Sequence, residues 1–204
     1  MFKKVANDML GLSDIGAVIT PADYDKTDAD DYIMHEENEK IYFLIKSKTD
    51  EYCFTNTALV HVDGTSAVSK KRTLRRYNYN THRIYNVLLE TAGTIDLDVE
   101  IKFTMGGENY SIDIHKKHIE EVKDLYKALL KIEEIMHDND IATQYAHKSL
   151  EMASSTLNNV RNAEVNVAEQ FKEINQFAFN WLVDTKNQYN VKDFGHVFEK
   201  FINN

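Results

Sequence analysis

The rhythm of apolar residues changes at about His115, and that change divides what the chain can fold into. Upstream, apolar residues alternate or come in short β-branched and aromatic bursts, the pattern of half-buried strands. Downstream they recur at three- and four-residue spacing almost to the C terminus, the pattern of amphipathic helices. The chain breakers follow the same division. Pro21, Gly11, Gly16, Gly64, Gly93, Gly106 and Gly107 precede His115, and only Gly195 follows it. The expected class is α+β, a strand-rich half followed by a helical half.

Seven strands are expected in the first half: Lys40–Ser47, Tyr52–Phe54, Ala58–Asp63, Lys70–Tyr79, Arg83–Thr91, Leu97–Met105 and Asn109–Ile114. Leu97–Met105 alternates strictly, with Leu97, Val99, Ile101 and Phe103 on one face and Asp98, Glu100 and Lys102 on the other. Asp63-Gly64 is a hairpin signal, and Gly106-Gly107 another. Ahead of the strands, residues 13–39 form an acidic arm in which nine carboxylates face only Lys26. An EF-hand register beginning at Asp25 would require a glycine where Asp30 stands, so the arm is read as a solvated loop. Phe2, Val5, Met9 and Leu10 share a helical face, which suggests a short N-terminal helix docked on the core.

In the helical half, Ile119, Val122, Leu125, Leu129, Ile132 and Met136 make one apolar stripe, and Asp138-Asn139-Asp140 supplies break and N-cap chemistry. Beyond it, Leu150, Ala153, Leu157, Val160, Glu164, Val167, Phe171, Ile174, Ala178 and Trp181 step by three and four throughout. Nine of these ten are apolar, which is the seam of a helix packed on another helix. One unbroken helix over 140–186 would be roughly 70 Å long. It must fold back as a hairpin or project and pair with another copy; the weak helix formers Asn158, Asn159 and Asn162 favour a bend there. A last segment, Val191–Ile202, places Phe194, Val197, Phe198 and Phe201 on one face, and that stripe requires a partner surface.

Seven strands capped by one amphipathic helix is the plan of a pleckstrin-homology (PH) barrel. Phe54-Thr55-Asn56 followed by Ala58-Leu59-Val60 resembles the phenylalanine-threonine-asparagine turn of bacterial PH domains. Glu90-Thr91-Ala92-Gly93-Thr94, continuing Ile95-Asp96-Leu97-Asp98-Val99-Glu100-Ile101-Lys102-Phe103, is similar to their ETAGT-x-DLD-x-E motif. Phe43–Thr55, His61–Val68 and Asp124–Ile132 resemble the YvbH-like family among them. The resemblance spans nearly the whole chain. It implies a PH-like seven-stranded antiparallel barrel capped by a helix, followed by an all-α extension that acts as an oligomerisation region. The expected organisation is an N-terminal helix and acidic arm packed on the barrel (1–39), a PH-like domain (40–137) and a helical extension (138–204).

Chemistry is sparse. With 33 acidic against 24 basic residues the net charge is −9, which argues against non-specific nucleic-acid binding. Cys53 is the one cysteine, read as a small core hydrophobe. No secretory h-region and no apolar run near 18 residues occurs, so the expected location is cytoplasmic. The candidate anion or partner surface is Lys70, Lys71, Arg72, Arg75 and Arg76, joined by Arg83, in a stretch free of acids. The competing reading is that these charges offset the acidic arm or guard an edge strand. The first strand-to-strand loop mixes Lys46 and Lys48 with Asp50 and Glu51, so it lacks the basic signature of phosphoinositide-binding PH domains. His115 and His118 are two imidazoles without a third ligand. No catalytic, cofactor-binding or metal-binding residue is assigned. The expected function is a non-enzymatic, self-associating interaction module, with a homo-oligomer formed through Leu150, Leu157, Val160, Val167, Phe171, Ile174 and Trp181 and through the stripe of Phe194, Phe198 and Phe201. Other proteins are further candidate partners, and membrane association would be weak and peripheral. The alternative is a peripheral binder of anionic lipid head groups or acidic partners through Lys70–Arg76.

Overall fold

The computed structural model describes residues 14–64, 72–91, 98–158 and 166–202. The N-terminal helix expected at Met1–Leu10, Lys70, Lys71 and Val160 lie outside these residues. Two compact units divide the chain: residues 1–133 together with 192–204, and residues 134–191.

Among the described residues the first unit carries eight antiparallel strands. β1 (Ala17–Val18), β2 (Ile41–Lys46), β3 (Asp50–Thr55), β4 (Ala58–Gly64) and β5 (Arg72–Asn78) form one sheet in that order. β6 (Ile84–Glu90), β7 (Asp98–Met105) and β8 (Glu108–His115) form the second. Alternation sets the register: Val99 pairs with Ile114, Ile101 with Ile112 and Phe103 with Tyr110, and all six side chains are buried. Gly106 and Gly107, at φ 62° and 84°, make the turn between β7 and β8.

The seven expected strands are present, and the eighth, β1, is a two-residue strand from the acidic arm. The arrangement is two sheets with a PH-like topology; among the described residues no ladder joins β5 to β6. On the other side Gly16 bridges to β8, its N–H donating to the Asp113 carbonyl at 2.8 Å and its carbonyl accepting from the His115 N–H at 2.9 Å. A Cβ at Gly16 would sit 2.7 Å from Ile45 Cγ2 and 3.0 Å from that Asp113 oxygen, so the close approach requires glycine. The sheets meet through Phe54 and Phe103, edge to face at 6.0 Å.

The first sheet is buried on both faces, which explains why β4 is almost continuously buried. The arm is not simply solvated: it runs through three 3-10 turns, and Ala29 and Ile33 pack with Leu44, Cys53, Val60 and Val62 on the outer face. Burial also pushes the Cys53 thiol pKa well up, which keeps it an inert core group.

Helix α1 (Ile119–Asn158) runs without a break through Asp138-Asn139-Asp140. The helix break expected there does not occur. Each of these residues costs only about 0.5 kcal/mol in a helix interior, and Thr143 bonds back to the Asn139 carbonyl at 2.8 Å as helical Thr does. Of the expected stripe, Val122, Leu125, Leu129, Ile132 and Met136 are buried. Helix α2 (Val167–Tyr189) starts at an Asn166 cap whose side chain accepts from the Ala168 and Glu169 N–H groups. Helix α3 (Gly195–Phe201) closes the described chain.

The boundary expected at 138 places α3 with the helical extension; the compact units place it with the strands instead. Phe194, Val197 and Phe198 are buried. Phe198 stacks on Tyr42 at 5.4 Å and Phe194 meets Tyr79 edge to face at 5.6 Å. Phe194 and Phe198, expected in an oligomer seam, are thus consumed inside one chain, and Phe201 beside them is half-buried.

Candidate interaction surface

The basic strand β5 is the first candidate. Its arginines do not stand free. Arg76 grips Glu39 with both arms, at 3.0 and 3.1 Å. Arg75 pairs with Asp63 at 2.9 Å and Arg72 with Asp28 of the arm at 3.3 Å. Glu39 is buried and also accepts from the Thr55 and Thr57 hydroxyls and the Met34 N–H. Burial alone would raise its pKa; Arg76 and these donors outweigh it and hold the carboxylate below its ordinary range. Arg83 also has interactions of its own. The arginines of β5 therefore answer the acidic residues of the arm and of β4.

The first loop is likewise engaged internally. Lys46 pairs with Glu51, which also accepts the Ala29 N–H. Asp50 accepts from His61 at 3.0 Å. A cleft of about 380 Å³ beside it is lined by Val18, Thr20, Lys26, Lys46, Lys117 and His118, but Lys26 is held by Asp23 at 2.5 Å. His115 and His118 are occupied locally: His115 Nδ1 accepts the Lys117 N–H, and His118 Nδ1 faces Glu121. Among the described residues no group of three His, Cys, Asp or Glu could hold a metal ion. Among the described residues no helix is long and apolar enough to cross a membrane.

The second unit presents a different surface. Trp181 Nε1 donates to the Ala146 carbonyl at 3.2 Å. Leu150, Ala153 and Ser154 of α1 line a groove with Ile174, Phe177 and Ala178 of α2. Numbers rise along α1 as they fall along α2, so the two helices are an antiparallel hairpin. The fold-back alternative of the sequence is the one observed, between the end of α1 at Asn158 and the Asn166 cap of α2.

The hairpin does not close its own seam. The open groove measures about 780 Å³, where helix pairs normally interdigitate to near-crystalline density. Ala153, Ser154 and Ser155 are too short to fill it from α1. On α2 nearly every side chain is exposed: Phe171 is 71% exposed, Phe177 62% and Phe179 61%. Of the expected seam, Leu150 and Ile174 meet at the groove and Trp181 bonds across the hairpin, whereas Phe171 is solvent-facing. The side chains of Leu157 and Val167 fall outside the described residues.

Sequence reasoning did not single out Tyr42, Tyr79, Asp193 and Gly195, which seat α3. Asn56 of the phenylalanine-threonine-asparagine turn anchors the start of α3: its side chain accepts the Lys40 N–H and donates to Asp193 at 2.6 Å, and its carbonyl accepts the Phe194 N–H at 2.7 Å. The motif was visible; its ligand, 137 residues away, carried no local signal.

Comparison with known proteins agrees with this architecture. The family described as bacterial PH domain matches residues 9–133, and the YvbH-like oligomerisation region matches residues 144–204. The chain is 61% identical to the uncharacterized protein YvbH of Bacillus subtilis (strain 168) over 204 residues, covering all of both chains. A crystal structure of a PH-domain-containing bacterial protein from Exiguobacterium sibiricum 255-15 is 55% identical, with a TM-score of 0.87 over 93% of this chain and 100% of that one. A second solved structure, a protein with a pleckstrin-homology domain from Shewanella loihica PV-4, is 22% identical with a TM-score of 0.44 over 58% of this chain and 97% of that one. These matches place the chain in the bacterial PH domain family, with a YvbH-like oligomerisation region following the PH-like domain.

Proposed function

We propose that the protein is a non-enzymatic scaffold that self-associates through its helical hairpin. One observation carries this reading: a two-helix unit whose phenylalanines Phe171, Phe177 and Phe179 stand mostly in solvent, with Phe177 beside an unfilled groove. Burying such a side chain is worth about 1.5–3 kcal/mol, and a patch of this kind marks an interaction site. The match to an oligomerisation region over the same residues supports it. The alternative, an anionic-surface binder through Lys70–Arg76, has less support, because Arg72, Arg75 and Arg76 already face carboxylates.

Light scattering coupled to size exclusion tests the proposal. The full chain is expected to run as a multimer. Replacing Phe171 and Ile174 by Asp is expected to give a smaller species with the strand signal in circular dichroism intact. A wild-type chain that stays monomeric at high micromolar concentration overturns the reading. Flotation with anionic vesicles addresses the alternative: weak, salt-sensitive binding is compatible with it, since surface attraction decays within about 10 Å at 0.1 M salt, and selective binding to one phosphoinositide that persists at high salt would rank it above the scaffold reading.

A further inference from the structure

The hairpin has a second apolar feature that its own partner helix cannot cover. At about 100° per residue, Phe179 and Val183 lie roughly 170° around α2 from the mean direction of the groove residues Ile174, Phe177 and Ala178. They form a ridge on the far side, and Val183 is 40% exposed. Exposed Lys172 and Lys186 fall within about 40° of that ridge. The groove, by contrast, is bordered by Glu151 and Glu173. One side of α2 is thus an apolar knob flanked by lysines, and its other side lines an apolar hole bordered by glutamates.

We propose that the Phe179–Val183 ridge of one copy seats in the α1–α2 groove of a second copy, with Lys172 and Lys186 facing Glu151 and Glu173 across the contact. The proposal rests on the self-association reading and specifies its interface. Three observations on one chain argue for a second copy as occupant: an open apolar groove and an exposed apolar ridge occur on the same unit, the flanking charges are opposite, and the residues lie in the matched oligomerisation region. Knob and hole lie on opposite sides of α2, so the contact is head to tail. A head-to-tail contact does not close as a two-fold pair; it closes as a ring of three or more copies or runs on as an open filament.

Charge reversal on the full chain tests it. One variant carries Lys172→Glu and Lys186→Glu, the other Glu151→Lys and Glu173→Lys. All four positions are exposed, so folding should persist, with helicity checked by circular dichroism. Each variant alone is expected to associate at least about tenfold more weakly than wild type, and an equimolar mixture to recover association, because one reversed ridge meets one reversed groove. Phe179→Asp is expected to weaken association by about tenfold or more, as charge in a buried contact does. Wild-type assembly at three or more copies with recovery in the mixture supports the interface. A discrete wild-type dimer, or a multimer indifferent to Phe179→Asp and to both reversals, overturns this interface while self-association stands. A monomeric wild type overturns both.

Discussion

Glu39 is the residue at which the charge pattern of this chain becomes structure. Its carboxylate is buried under the sheet edge and takes hydrogen bonds from Arg76, Thr55, Thr57 and the Met34 N–H. Removing Arg76 leaves that charge without its partner, which costs about 3–5 kcal/mol in buried pairs. Arg76→Ala should therefore destabilise the chain severely, by denaturant titration, while Arg72→Ala, at an exposed pair, should cost less than about 1 kcal/mol. The pH dependence has a definite sign. Because the native carboxylate titrates below its ordinary value of 4.5, its contribution is complete above that value. It is lost as pH falls below 4.5 toward the native pKa, where the unfolded chain takes up the proton first. The stability gap between wild type and Glu39→Gln should thus be widest near pH 7 and shrink in that acid window; a gap independent of pH would refute the assignment. The sequence shows an acid-rich arm and a base-rich strand, so offsetting charge was legible as a possibility. Which arginine meets which acid was not, because Glu39 and Arg76 are 37 residues apart and only the fold aligns them.

At the scale of elements, period did most of the work and local punctuation misled. Strands β6 to β8 follow from alternation, and the buried side of α1 follows from its three-four spacing. Asp63-Gly64 reads as a turn, yet Gly64 belongs to β4 and pairs with Arg72. The glycine is there because a Cβ would approach the Thr49 carbonyl to 2.8 Å, and a close approach leaves the same sequence mark as a turn. Asp138-Asn139-Asp140 reads as a cap for a similar reason: capping residues signal an end only when the helix has nothing further to gain by continuing. Helix α3 illustrates the converse. Seven residues are too few to be helical alone, so its structure is borrowed from Tyr42, Asn56 and Tyr79. Phe198→Ala should cost about 3–5 kcal/mol as a buried aromatic deletion. Asn56→Ala should selectively lower amide protection across 193–202, because it removes the Asp193 anchor; uniform protection changes across the whole first unit would argue that Asn56 is only a turn residue.

At the scale of the whole molecule, the order of the chain and the order of the fold differ. The strand-rich and helical halves are visible in the sequence, and the sequence leads one to expect that a chain ending at residue 137 folds alone. In the structure the first unit includes residues 192–204, so the helical hairpin is an insertion between two parts of one unit and not a tail. A chain cut at 137 loses Phe194, Val197, Phe198 and Ile202, all buried. At about 1.5–3 kcal/mol for each buried apolar side chain, that loss is comparable to the 5–15 kcal/mol by which a domain of ordinary stability is folded. The faces of Tyr42 and Tyr79 would be left open to water at the same time. The 1–137 fragment is therefore expected to melt without a cooperative transition or to aggregate. A chain that joins residue 133 to residue 192 through a flexible Gly/Ser linker keeps the Asn56–Asp193 anchor and the buried phenylalanines. It should recover a cooperative thermal transition, and by the scaffold reading it should be monomeric. A 1–137 fragment as stable as the joined chain would show that α3 is an accessory to the PH-like fold and not a part of it.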